Sequence, residues 1–362
     1  MYNNFAARDF SRIFWMDTPG AAHMVAHAVK QGLHGGSIVM PELTEAFWPR
    51  EFFDCIYTKI RLENSDVNLT AFEATEFSSA DSFELDLLER INHNASLAYR
   101  PASWKNVAEY AAKTNAFQGQ MVVVRHIAQA HADIWLRFAV EYARLCQSGM
   151  LLFCFDQGFP QGEFNRKNVL TLRPCDWITE LDLLALALYS GANTTGASRI
   201  SLDYLARLAV ALCGGYPEVC CRISQLGNLN TLEFDLDNLA EEYPSVFALR
   251  AGTQEHDRKL WEAQVQTIFP ALEMCRCGML RKWGADIIER LPLQDDYGTE
   301  LRNVSDIELR HIVYFLNQRW LILPRTEYMH VFEIYNARNQ LAHLKSINGK
   351  TLKTLIAICE NY

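Results

Sequence analysis

Met150-Leu151-Leu152-Phe153-Cys154-Phe155-Asp156 is a continuous apolar run closed by an acid, and it is the most strand-like stretch of the chain. A run this short and this apolar suits a buried strand. Working outward, similar runs recur at Ser37-Ile38-Val39-Met40, Val67-Asn68-Leu69-Thr70-Ala71-Phe72, Met121-Val122-Val123-Val124 and Asn168-Val169-Leu170-Thr171-Leu172. Arg12-Ile13-Phe14-Trp15-Met16 also reads as a strand, closed by Asp17-Thr18-Pro19-Gly20. Between these runs the spacing predicts helices over residues 21–31, 83–92, 104–113 and 128–146. Strands alternating with helices point to an α/β domain.

Beyond Thr179 the strand signals thin out. Residues 180–188, 202–213, 236–242 and 255–270 carry helical spacing, and Gly214-Gly215-Tyr216-Pro217 breaks one pair of helices. Residues 252–362 read as all-helical, with helices over 255–268, 272–291, 305–319, 327–344 and 349–360. Pro292 to Gly298 is the clearest loop in this half. Ser305 with Glu308 forms a capping box, and Thr326 caps the helix after it. The expected organisation is an α/β domain over residues 1–185, a helical region over 186–251 and a helical domain over 252–362.

Composition narrows the function classes. Of 362 residues, 49% are hydrophobic and 21% charged, enough for a substantial core and too apolar for wholesale disorder. No run of 18 apolar residues suggests a membrane span, and residues 1–12 lack the basic and apolar regions of a secretory signal. The expected location is the cytoplasm. Most of the ten cysteines lie in or beside apolar runs and read as buried thiols; Cys275-Arg276-Cys277 has no second pair at metal-site spacing, so no metal is expected. The net charge of −9 falls entirely on residues 1–251, because residues 252–362 hold 14 Lys and Arg against 14 Asp and Glu. Tight non-specific nucleic-acid binding is therefore disfavoured, while a local phosphate site near the C-terminus is allowed.

Asp17-Thr18-Pro19-Gly20-Ala21-Ala22-His23-Met24, between an expected strand and an expected helix, resembles a Walker A loop, G-x-x-x-x-G-K-[ST]. Asp17 and Ala22 stand at the glycines, His23 at the lysine and Met24 at the hydroxyl residue, so three of the four roles are unfilled. Leu151 to Asp156 is similar to a Walker B strand, with Gln157 in the place of the catalytic Glu. Residues 205–217 resemble the helical lid of AAA+ and STAND-type ATPases. This likeness implies a degenerate P-loop domain with a helical lid that does not hydrolyse ATP. Gly20, His23 and Asp156 would be its vestigial nucleotide site.

The second motif is Asn336-Ala337-Arg338-Asn339-Gln340-Leu341-Ala342-His343-Leu344. A guanidinium grips phosphate through two parallel donors, and an imidazole moves protons near neutral pH. The string is similar to the R-x4-6-H signature of the HEPN superfamily, in which Asn often follows the Arg and the site is a metal-independent ribonuclease. On a helix Arg338 and His343 are separated by about 500° and about 7.5 Å, so they share no narrow face. The family places its site in the cleft between two protomers, which removes the difficulty.

The resemblance implies an all-α HEPN bundle behind the α/β domain, with Arg338, Asn339 and His343 catalytic and no cofactor. It implies a homodimer and an RNA substrate, tRNA or mRNA, in a toxin or antiviral-defence effector served by a partner ATPase or sensor protein. Arg310, His311 and Lys345 are secondary candidates for RNA contact, and Arg319 and Arg325 flank the apolar run Trp320 to Leu323. Two blander readings stand beside these. Arg338 could pair with Glu333, and the bundle could be a non-catalytic dimerisation or RNA-binding scaffold.

Overall fold

Apolar runs, three of them entered through glycine turns, become the strands of one sheet, and longer stretches with a 3.6-residue period become the helices around it. In a computed structural model, residues 4–77, 82–156, 168–192, 198–294 and 298–362 are described. The first part runs α1 (Asn4–Asp17), α2 (Pro19–His34), β1 (Gly36–Pro41), α3 (Pro49–Glu63), β2 (Asn68–Glu73), α4 (Phe83–Ile91), α5 (His93–Ala98), α6 (Val107–Lys113), β3 (Gln120–Ile127), α7 (Ala132–Leu145), β4 (Met150–Phe155), β5 (Val169–Thr171) and α8 (Pro174–Trp177). Helix α9 (Glu180–Ala192) follows. The second part holds α10 (Arg199–Leu212), α11 (Pro217–Ser224), α12 (Leu232–Glu242), α13 (Gln254–Ile288), short strands β6 (Leu293–Gln294) and β7 (Glu300–Leu301), α14 (Leu309–Asn317), α15 (Arg325–Ala342) and α16 (Gly349–Cys359). Contacts divide the chain into two compact units, Met1–Asp182 and Leu183–Tyr362.

The first unit is α/β. Its five strands are all parallel, in the order β2-β3-β4-β1-β5. All six residues of β4 are buried, because helices cover both faces. Leu151, Phe153 and Phe155 pack with Trp135, Phe138 and Tyr142 of α7, and the Ser37 hydroxyl of β1 donates to the Ala139 carbonyl on the same side. On the other face Met150 lies against α2 and α3 at Gly32 and Ile60. Each such buried side chain contributes about 1.5–3 kcal/mol.

Arg12 to Met16, expected as a strand, lies inside α1. Phe10, Ser11, Phe14, Trp15 and Thr18 are buried while Arg12 and Asp17 are exposed. That is a helical face, visible over nine residues and invisible over five. The strand–loop–helix order of a phosphate loop is therefore absent at residues 12–31. Gln157 lies outside the described residues.

The second unit is helical apart from the antiparallel pair β6–β7, which replaces the loop expected at Pro292 to Gly298; its middle, residues 295–297, lies outside the described residues. Helix α13 runs unbroken for 35 residues through Pro270, where two helices were expected. Burial of Ala263, Thr267, Ile268, Leu272 and Cys275 on either side holds the helix across the missing hydrogen bond. The cap of α14 is Glu308 paired with His311, while Ser305 lies in a 3-10 turn capped by Asn303 and Asp306. Pro324, not Thr326, precedes α15. Among the described residues no helix is long and apolar enough to cross a membrane.

Candidate functional site

In an open parallel sheet, ligands sit beyond the carboxyl ends of the strands, where successive connections diverge. Here the chain leaves β1 toward β2 at one edge and leaves β4 toward β5 at the other, so the divergence falls between β4 and β1. Carboxylates and their partners occupy that place. Glu42, just past β1, accepts from Nε and Nη2 of Arg125 at 2.8 and 2.6 Å, and from the backbone N–H of His126 at 3.1 Å. Burial pulls the Arg125 pKa down, and the Glu42 carboxylate more than offsets this. His126 sits at a bulge with φ of 54° and donates through Nδ1 to Asp156 at 3.0 Å, because an ionised carboxylate only accepts. Its Nε2 lies 4.0 Å from Glu73. With Glu45 3.9 Å from Arg125, four carboxylates surround one arginine and one histidine and repel a phosphate chain.

Gly20 and His23 lie in the first turns of α2. The helix start does hold an anion, but it is the protein's own: Asp182 accepts from the Gly20 N–H at 2.6 Å and from the N–H and hydroxyl of Thr179 at 2.8 and 2.7 Å. Asp182 is 1% exposed. A Cβ at residue 20 would collide with the Trp177 carbonyl. His23 is exposed, 6.5 Å from the Trp177 ring. Of the three vestigial-site candidates, only Asp156 lies in the carboxyl-end cluster described above.

The second unit contains an open cleft of about 540 Å3. Phe269, Glu273 and Arg276 of α13 form one wall, Asp306, Glu308 and Arg310 another, and Tyr335, Arg338 and Asn339 of α15 a third. Val331, Ile334, Ala337 and Leu341 bury one stripe of α15, which leaves Arg338 and Asn339 half-buried at its flank. Most charges in the cleft are committed. Arg276 pairs with Glu273 at 2.8 Å and donates to the Ile307 carbonyl at 2.9 Å. Arg310 pairs with Glu308 at 3.0 Å. Backbone N–H groups of Asn303 and Arg302 hold the Asp306 carboxyl below its ordinary pKa.

Arg338 is different. Among the described residues its guanidinium has no hydrogen-bond or ion-pair partner, Glu333 included; it lies 5.8 Å from the centre of the Phe269 ring. The Asn339 amide is likewise uncommitted among them.

His343 does not line this cleft. The sequence suggests a helix running through Leu344, but α15 stops at Ala342. Leu344 takes a left-handed φ of 60°, its N–H bonds to Leu341 O and that of Lys345 to Gln340 O. This is a Schellman close. Trp261 Nε1 donates to the same Leu341 carbonyl at 2.7 Å, so that oxygen accepts two hydrogen bonds. His343 and Lys345 are exposed just past the helix end.

Arg310 shares the cleft with Arg338, whereas His311 turns inward, 7% exposed, and accepts the Glu308 N–H at Nδ1. Nothing in the sequence marks Phe269, Arg276 or Tyr335 as neighbours of Arg338. Among the described residues no group of three His, Cys, Asp or Glu side chains is placed to hold a metal ion. Neither a family model nor a curated protein matches the chain.

Proposed function

We propose that the second unit carries a metal-independent endoribonuclease of HEPN type. The observation that supports it most is the cleft in which Arg338 presents an uncommitted guanidinium beside the Asn339 amide. Such a pair suits one phosphate: the fork binds two oxygens and the amide a third contact. His343, one turn further and exposed, supplies the proton chemistry from a second copy of the chain. One imidazole takes the proton of a ribose 2′-OH, the 2′-oxygen bonds to phosphorus, and the bond from phosphorus to the 5′-oxygen breaks. The opposite imidazole protonates that oxygen, and Arg338 stabilises the charge on the phosphorane. The products are a 2′,3′-cyclic phosphate and a 5′-hydroxyl.

On this reading the α/β unit regulates rather than hydrolyses nucleotide, since its switch point is lined by ion-paired carboxylates. The toxin or defence role, the tRNA or mRNA substrate and the partner ATPase or sensor follow from the same resemblance.

One observation favours a second reading, a non-catalytic dimerisation or RNA-binding scaffold: His343 lies outside the cleft that holds Arg338. Cleavage of cellular RNA by wild type and His343→Ala, with sedimentation of both, separates the two. Lost cleavage by an intact dimer supports the enzyme; unchanged cleavage removes His343 from the mechanism.

A further inference from the structure

Helix α14 has the cleft at its N-terminal end. A different surface lies at its C-terminal end, nine residues and about 13 Å away. There Arg319 takes a left-handed φ of 58°, with its N–H bonded to Leu316 O and the Trp320 N–H bonded back to Phe315 O. This reversal folds Trp320 onto its own helix. The indole stacks on Phe315 at 5.9 Å and 29°, Tyr314 meets its edge at 5.5 Å, and the Arg290 guanidinium lies 5.9 Å over the ring. Arg290, Tyr314 and Arg319 are exposed, Trp320 is half-buried, and Ile322 beside them is 84% exposed.

Two features point to the occupant. Residues 309–326 contain no Asp or Glu but hold Arg310, Arg319 and Arg325, so the stretch complements a polyanion. A glycine would meet the left-handed turn without strain, yet the position carries a cation. We propose that Trp320 and Arg290 form a stacking platform for an unpaired base of single-stranded RNA, with Arg319 and Arg325 following its phosphates. This rests on the ribonuclease reading for the identity of the ligand, and it makes α14 the track between the scissile phosphate and a gripped base. Aromatic and guanidinium planes accept any base but only an unpaired one, so the platform selects single strands.

The test is fluorescence anisotropy of a labelled eight-nucleotide RNA, 2′-O-methylated throughout, titrated with the full chain. That strand cannot be cleaved, so the result does not depend on whether His343 is catalytic. Trp320→Ala is expected to weaken binding at least about fivefold, Trp320→Phe less, and Arg290→Ala about as much as Trp320→Phe. A duplex of the same sequence should bind Trp320→Ala and wild type alike. Because Arg290 is exposed, its variant tests the platform even if Trp320→Ala fails to fold. Wild-type affinity in both Trp320→Ala and Arg290→Ala, an equal loss on duplex, or no binding by wild type would each overturn the proposal. Cleavage that vanishes in His343→Ala while Trp320→Ala binds normally would leave the ribonuclease and remove the platform.

Discussion

Arg338 touches its surroundings through one ring and no carboxylate among the described residues, so its replacement separates activity from stability. The lost cation–π contact is worth about 0.5–1 kcal/mol at such a site. Arg338→Ala is therefore expected to shift the urea midpoint little while reducing RNA cleavage about a hundredfold or more. Arg338→Lys keeps the charge without the two-pronged geometry, and should recover only part of the rate. Equal cleavage by the Lys variant and wild type would show that charge alone suffices. At Leu344 the expectation runs the other way. A leucine held at a φ of 60° and 72% exposed gives up little packing, so Leu344→Gly relieves strain. A gain of up to about 1 kcal/mol in chemical unfolding is predicted.

At the scale of elements, Asp182 joins the starts of α2 and α9 by accepting three hydrogen bonds while 1% exposed. Asp182→Ala strands those donors and should cost at least about 2 kcal/mol; a smaller loss would mean that water takes the carboxylate's place. Asp306, which closes the turn beside the cleft, predicts a pH dependence. Its folded pKa is depressed, so its contribution is present above the unfolded value near about 3.9 and is lost as pH falls through the folded one. Amide protection at Asn303 and Arg302 should fall in acid, and in Asp306→Asn it should be weak at neutral pH too. Which elements could be read in advance follows from their composition. Met150 to Phe155 was legible because all six side chains are buried, and a strand covered on both faces needs no alternation. Arg12 to Met16 misled because five residues cannot display a helical period. The spacing predicts two helices, over 255–268 and 272–291, where packing on both sides of Pro270 holds one. Arg338 and Asn339 stood out by residue type and order. Phe269 and Arg276, more than 60 positions earlier in the sequence, could not, since only the packing of α15 on α13 brings them together.

For the molecule as a whole, the charge distribution sets what the proposed RNA binding should look like. The net charge of −9 opposes a polyanion, while the second unit offers a few arginines rather than a basic field. With about three phosphates neutralised, log affinity for single strands should fall with log salt at a slope near about −2; a slope steeper than about −5 would indicate a broad basic surface not evident in this chain. The proposed division of labour also predicts that the activity depends on association: specific cleavage should rise with protein concentration until the two-fold pair is saturated. The most direct measurement is end-group analysis of a defined RNA incubated with the pure chain in excess EDTA. The account predicts cuts leaving 2′,3′-cyclic phosphate and 5′-hydroxyl ends, slowed about a hundredfold or more with Arg338→Ala and absent with His343→Ala. Products ending in 3′-hydroxyl and 5′-phosphate, or the same cuts from both variants at the wild-type rate, would contradict it.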